Sequence, residues 1–261
     1  MDASAAFEAA ISKRLEGPGE TLFAVLDFDN TCIVNDVGEA TLAFMCGNNL
    51  LRCSDLLPSG GKPGDPTYHA QVFRHYRQLL NGGDIRAASL LCARILAGFK
   101  PDEAAAIVAA VLEAERNIPG EAELFGIPIA RGLAVRPALQ RLIEFSTANA
   151  IHIWIVSASP AIAVQAAMQR FGLPGNLIAL RHRIVDGLLS RTLVAPHSIA
   201  EGKVDCIKTF IDGTRRPLFA VGDSVYDIPM LEYARLRAVV ERDNAMTQEA
   251  RQRGWLVLPS S

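Results

Sequence analysis

The sequence predicts an α/β fold: a doubly wound parallel sheet with a helical cap inserted after its first strand. Three features carry that expectation. Short apolar runs alternate with amphipathic stretches over most of the chain, the region from about 37 to 115 is helical in spacing throughout, and four polar clusters stand where apolar runs end. Strands covered on both faces by helices read as continuous apolar runs, which is the pattern seen.

The first run, Leu22 to Asp27 (LFAVLD), closes on acids and a DNT turn, so it reads as a buried strand with polar groups at its C-terminal end. Beyond Val37, residues 69–81, 84–98 and 102–116 have helical spacing. They are separated by Gly60-Gly61, Pro63-Gly64-Asp65-Pro66, Gly82-Gly83 and Lys100-Pro101-Asp102. The alternation resumes at Val135 with a helix over 137–149 opened by Pro137, a strand over 151–156 (IHIWIV), a helix over 160–171 and a strand over 176–181. A hairpin through Asp186-Gly187 follows, then a helix over 202–212, a strand over 217–221, a helix near 227–234, a strand over 236–240 and a final helix. The expected division is a core from 1–36 and 131–261 and a cap from 37–130.

Half the residues are hydrophobic and 21% are charged, enough to bury a core and too apolar for disorder. The net charge of −2 is spread along the chain, with no basic footprint for nucleic acid or an anionic membrane, so a small ligand is expected. Five cysteines at irregular spacing, with no CxxC pair, fit neither a disulfide framework nor a zinc module. The acid-bearing N-terminus is unlike a secretory or transit leader, and no apolar run approaches the roughly 20 residues that span a bilayer. A cytoplasmic protein is the expectation, with a homodimer as the candidate assembly.

The four strand-end clusters are DFDNT (Asp27 to Thr31), VSAS (Val156 to Ser159), AEGK (Ala200 to Lys203) and GDSVYD (Gly222 to Asp227). Where the chain leaves its strand, Asp29 can swing toward the small volume occupied by Asp27. Close carboxylates repel unless a cation lies between them, and Asp223 and Asp227 add to the demand. Asp27, Asp29, Asp223 and Asp227 are therefore the expected metal set, with Mg²⁺ the hard cation such oxygens suit. A Mg²⁺ site of one or two carboxylates often shares its ion with a substrate phosphate. Ser157, and the main chain through Ala158, can offer O–H and N–H donors to phosphate oxygens, and Lys203 can add a point charge. One Asp to attack phosphorus and a second to move the proton complete a set suited to phosphoryl transfer.

This set, in this order, resembles the haloacid-dehalogenase-like superfamily, whose phosphatases carry DxDx[TV], a Ser or Thr after the second strand, a Lys and a GDxxxD pair. The resemblance implies a Rossmann-like core and a Mg²⁺-dependent phosphomonoesterase acting on a small phosphomonoester. It implies Asp27 as the nucleophile that forms a phosphoaspartate and Asp29 as the acid and then the base. Thr31, Ser157, Ala158 and Lys203 become the phosphate grip; Asp223 becomes the metal ligand beside Asp27 and the carbonyl of Asp29, and Asp227 supports it. Dehalogenases lack an acid at the position of Asp29, so dehalogenation is disfavoured.

The insertion right after the first motif is similar to the cap of phosphoserine phosphatases, as are RGLAVRPALQRLIEF, IVSASPAIAVQAAMQRFGL and EGKVDCIKTFI. Asp36 then falls where that branch grips a substrate amine, although it can also simply cap the helix that follows. Arg77, with Arg74 beside it, is the candidate carboxylate ligand; a salt-bridged helix face is the competing reading. Tyr226 stands where that branch has a phosphate-contacting Asn, and Ala158-Ser159 replaces a Gly pair, which leaves phosphocholine and phosphoethanolamine types beside phosphoserine. Phe44, Tyr68, Phe73 and Tyr76 are either cap core or a cage for a cation. Two other functions use the same residues. One is a phosphotransferase passing the phosphoryl group to an acceptor alcohol; the other is a phospho-accepting regulatory domain, which has no use for Asp29 or for a cap.

Overall fold

The computed structural model describes residues 3–15, 21–116, 118 and 120–260. In chain order the elements are α1 (Ala3–Ser12), β1 (Phe23–Leu26), β2 (Ile33–Val34), α2 (Val37–Gly47), α3 (Pro66–Asn81), α4 (Ile85–Arg94) and α5 (Pro101–Ala114). Then come β3 (Gly120–Leu124), β4 (Ile127–Arg131), β5 (Ala134–Val135), α6 (Pro137–Ala148), β6 (His152–Pro160), α7 (Ala161–Phe171), β7 (Asn176–Leu180), β8 (His182–Val185) and β9 (Leu188–Leu193). The chain closes with α8 (Gly202–Phe210), β10 (Phe219–Gly222), α9 (Ile228–Tyr233), β11 (Leu236–Val240), α10 (Ala245–Gln252) and β12 (Leu256–Leu258).

Six strands form one parallel sheet in the order β12-β11-β10-β1-β6-β7. Every residue of β1 is buried because each face of the strand meets a different core. Ala24 and Leu26 pack with Phe7 of α1, Leu139 and Leu142 of α6 and Val164 of α7. Phe23 and Val25 pack with Ile207 of α8, Met230 and Leu231 of α9 and Met246 of α10. A strand that must satisfy two hydrophobic layers has no place for alternation, which explains the unbroken FAVL.

Two elements at the ends of the chain are not expected from the sequence. Helix α1 lays Phe7 and Ile11 into the core, with the Phe7 ring edge-on to Phe219 at 5.5 Å, and β12 adds a sixth strand after the terminal helix. Phe7 is 1% exposed, so Phe7→Ala is expected to cost about 3–5 kcal/mol through the lost burial and the cavity it leaves. Chemical denaturation reads this directly: a loss below about 1 kcal/mol would mean α1 is not part of the cooperative core.

The expected helical insertion is present but not wholly helical. Helices α2, α3 and α4 surround their own core of Leu42, Met45, Phe73, Leu91 and Leu96, while β3 and β4 form an antiparallel hairpin around Phe125-Gly126. The sequence does not announce this hairpin because both strands are short, their inward residues are only half-buried and β4 carries Pro128 on its outward face, leaving a weak period-2 signal. The insertion is rooted by the short pair β2 and β5, with Ile33 opposite Val135 and Val34 opposite Ala134. Val108 and Leu112 of α5 join the main core, so this helix belongs to the contact between cap and sheet layer. Tyr68 and Phe73 are fully buried in the cap, which makes them cap core. No helix among the described residues is long and apolar enough to cross a membrane.

Candidate active site

The polar clusters meet at the C-terminal edge of the sheet, beneath the cap. Asp27 leaves β1, Asp223 leaves β10 and Lys203 lies in the first turn of α8. Ser157 is inside β6, which runs past it to Pro160 instead of stopping before it. Side chains from three strands and a helix start thus converge because neighbouring parallel strands end at the same edge, where open α/β sheets bind ligands.

Lys203 Nζ donates to Asp27 Oδ1 and to Asp227 Oδ1, both at 2.6 Å. Thr31 Oγ1 lies 3.1 Å from Asp27 Oδ2 and 2.9 Å from Asp223 Oδ1, so one hydroxyl bridges two carboxylates. The other oxygen of Asp227 accepts from the N–H groups of Asp223 and Ser224, which ties it to the loop that carries it. Gly222 permits this close turn: a Cβ there would stand 2.6 Å from the Asp227 Cβ. Gly202 serves Lys203 in the same way, since a Cβ would meet the His197 carbonyl oxygen at 2.1 Å.

Carboxylate oxygens of Asp27, Asp223 and Asp227 lie within 4.8 Å of one another and all three residues are buried. Burial, opposed by Lys203 and reinforced by the Asp227 and Asp223 charges, pushes Asp27 up to about 8. Burial first, and then Asp227, also raises Asp223. Three buried carboxylates facing a single buried ammonium form an under-neutralised set of hard oxygen donors, which fits a divalent cation such as Mg²⁺.

Asp29 lies outside this cluster. Asn30 takes a left-handed conformation, φ 58°, and turns the chain so that Asp29 Oδ1 accepts from Val37 N at the start of α2, 2.7 Å, while Oδ2 accepts from Ser157 Oγ, 3.2 Å. Its carboxylate is thus not grouped with the other three. Burial, with Asp36 and Asp27 adding to it, raises Asp29 well above the carboxylate range and favours its protonated form.

A cavity of about 290 Å³ opens over these groups, lined from the core by Asp27, Asp29, Lys203 and Asp223 and from the cap by Asp36, Glu39 and Tyr76. Ala158 lines it too, whereas Ser157 lies fully buried beneath and reaches the site through Asp29. Asp36 Oδ1 caps α2 by accepting from Glu39 N at 2.8 Å, and the residue also borders the cavity. Burial and the neighbouring Glu39 push Asp36 up to about 6. Arg77 does not line this cavity. It pairs with Glu39 at 2.6 Å and borders an adjoining chamber of about 310 Å³, so its charge is already matched within the cap. Tyr226 lines the same cavity and donates from its hydroxyl to the Gly83 carbonyl, 3.3 Å, joining the GDSVYD loop to the α3–α4 turn.

The loop after β11 supplies two further residues. Arg242 Nη1 donates to Asp223 Oδ2 at 2.5 Å and lines both chambers, and Asn244 Nδ2 donates to the Asp223 carbonyl at 2.9 Å. The ERDN segment carries no motif of its own, yet it follows a predicted strand adjacent to GDSVYD, and position at a strand end is the signal that could have found it. Arg136 lies behind Asn30, held by the carbonyls of Asn30 at 3.1 Å and Ser260 at 2.5 Å. Burial and then the Arg242 charge lower Arg136, with Asp223 acting in opposition.

A family model described as haloacid dehalogenase-like hydrolase matches residues 24–232. A Mycobacterium tuberculosis protein described as a probable phosphatase is 34% identical over 110 residues, a match spanning 41% of this chain and 38% of that protein, well under two thirds of its length. A Bordetella pertussis protein of unknown function matches in fold with TM-score 0.70 at 20% identity, over 93% of this chain and 100% of that one. A functionally unknown Anaerococcus prevotii protein matches with TM-score 0.71 at 20% identity, over 98% and 91%. A substrate-bound phosphoserine phosphatase matches with TM-score 0.56 at 13% identity, over 93% and 94%.

Proposed function

Because the chain belongs to the haloacid dehalogenase-like hydrolases, we propose that it is a phosphatase that hydrolyses a small phosphomonoester through a phosphoaspartate on Asp27. The observation that carries this reading is the opposition of two kinds of acid across one cavity. Asp27 stands against Lys203 and beside Asp223 and Asp227, while Asp29 stands apart, held by the Val37 N–H and the Ser157 hydroxyl. A nucleophile and a general acid need that separation. Naming of the Mycobacterium tuberculosis relative as a probable phosphatase agrees with it.

Asp27 attacks phosphorus, the bond from phosphorus to the ester oxygen breaks, and Asp29 gives its proton to the departing alcohol. Asp29, now ionised, takes a proton from water as that water attacks the phosphoaspartate, releasing phosphate and restoring Asp27. Lys203, the Ser157-Ala158 segment and Thr31 orient the groups around the transferred phosphoryl. Asp27, Asp223 and Asp227 would hold Mg²⁺, which supplies positive charge toward the phosphoryl oxygens. The cap lies over the cavity and limits the water that reaches it.

The leaving group is an alcohol bearing a cationic amine, of the phosphoserine, phosphocholine or phosphoethanolamine type. Asp36 and Glu39 support this, since both put carboxylates on the cap wall, and Tyr76 adds an aromatic surface there. Purified protein with Mg²⁺ and a panel of phosphomonoesters is expected to release phosphate, to prefer amine-bearing esters over uncharged ones by about tenfold or more, and to stop in EDTA. Preference for uncharged esters would remove the amine assignment, while transfer to an added alcohol without phosphate release would make the protein a phosphotransferase.

A further inference from the structure

The charges around Asp223 balance in a way that the four sequence motifs do not account for. Lys203 pairs with Asp27 and Asp227, and Arg242 pairs with Asp223, so each of the three carboxylates already has a cationic partner in contact. Lys203 is buried between its two carboxylates, and Arg136 is 6% exposed. Arg242 differs from both: its side chain is 36% exposed, it borders both chambers, and it takes Asp223 Oδ2, an oxygen of the carboxylate group suited to Mg²⁺. The loop that carries it is fixed independently, by Arg242 N on Thr247 Oγ1 and by Asn244 on the Asp223 carbonyl.

We propose that Arg242 sets the charge balance of this site, holding down the binding of Mg²⁺ alone and strengthening the binding of a phosphate dianion beside the metal. A carboxylate already engaged by a guanidinium attracts a lone divalent cation more weakly than a free one. Once Mg²⁺ is present the same set is more positive by two charges, which favours a phosphate dianion beside it. Metal and phosphoryl group together satisfy the site and neither does so alone. Without Arg242 the site is poorer by one positive charge, so Mg²⁺ alone binds more tightly and phosphate beside it more weakly. Favourable coupling between two ligands obliges each to tighten the other.

This inference rests on the Mg²⁺-dependent phosphatase reading, and its test reads binding instead of turnover. Thermal unfolding is followed while MgCl₂ is titrated without substrate, and while inorganic phosphate is titrated at saturating Mg²⁺, both at constant ionic strength. Arg242→Gln is expected to lower the half-saturating Mg²⁺ concentration about tenfold and to raise that for phosphate about tenfold, with Arg242→Lys returning both toward the wild-type values. In the wild-type protein by itself, saturating phosphate is expected to tighten Mg²⁺ binding about tenfold or more.

Opposite changes in the two affinities are the signature of charge. If both affinities fall together, Arg242 only props up Asp223 and the proposal is overturned; it is overturned equally if neither changes, or if phosphate leaves wild-type Mg²⁺ binding unaltered. Should the wild type hydrolyse esters with Mg²⁺ while Arg242→Gln binds both ligands normally, the inference fails and the phosphatase reading stands. A wild-type protein that ignores Mg²⁺ and releases no phosphate overturns both.

Discussion

Asp27→Asn is expected to fold like the wild type and to lose turnover by about 10⁴-fold or more, because an amide oxygen cannot displace the ester oxygen from phosphorus. The shape of the site should survive. The substituted amide can still accept from Lys203 through its oxygen while its NH₂ donates to the Thr31 hydroxyl, and Lys203 keeps Asp227 as its charged partner. Stability supplies an independent reading in EDTA. Burial pushes Asp27 from 3.8 up to about 8, and a raised carboxyl is unfavourable to the folded state once it must ionise. The wild type therefore loses stability relative to the variant as pH rises from about 4 to about 8, and the variant's advantage vanishes below that window. Unfolding curves at several pH values check the sign. Retained turnover in Asp27→Asn would remove the nucleophile assignment, and a variant less stable at about pH 8 than the wild type would show that the Lys203 contact outweighs burial.

Lys203→Met should be the most destabilising change in the site. Lys203 is the buried cation between Asp27 and Asp227, with side-chain exposures of 4%, 10% and 2% for the three groups. Removing one partner of a buried ion pair leaves uncompensated charge and costs about 3–5 kcal/mol. The expected loss is on the order of 10 °C in melting temperature in EDTA, with turnover abolished. Mg²⁺ should restore part of the lost stability, since a divalent cation can neutralise the carboxylates that Lys203 no longer reaches. Calorimetry with and without Mg²⁺ distinguishes the outcomes. A variant as stable as the wild type in EDTA would mean that the carboxylates are protonated or hydrated in the folded state, and the charge account of the site would fall with it.

The parts legible in the sequence are those governed by local chemistry. LFAVLD declares a strand buried on both faces, and DFDNT, AEGK and GDSVYD declare polar groups at strand ends, because burial and strand-end position leave direct marks on residue choice. The helical spacing after Val37 marks an insertion that packs on its own core. The cap hairpin β3–β4 leaves almost no mark, since its strands are short and neither face is deeply buried. Helix α1 and strand β12 are illegible for another reason: each is short, and the two pack against each other from opposite ends of the chain.

What the sequence by itself determined was the inventory of reactive groups and the order in which the chain presents them. Tertiary structure decided their grouping. Asp27 and Asp29 are near neighbours in the chain, yet Asp27 joins the distant Asp223 and Asp227, while Asp29 turns to Val37 and Ser157. Arg77 is free to meet a substrate as far as the sequence tells, but Glu39, one helix away, holds it; Arg242 is unremarkable until β11 places it against Asp223. The physical reason is range. Burial and backbone preference act on a residue through its chain neighbours, whereas a carboxylate's charge state depends on every ion within several ångströms, and only the packed sheet and cap fix which ions those are.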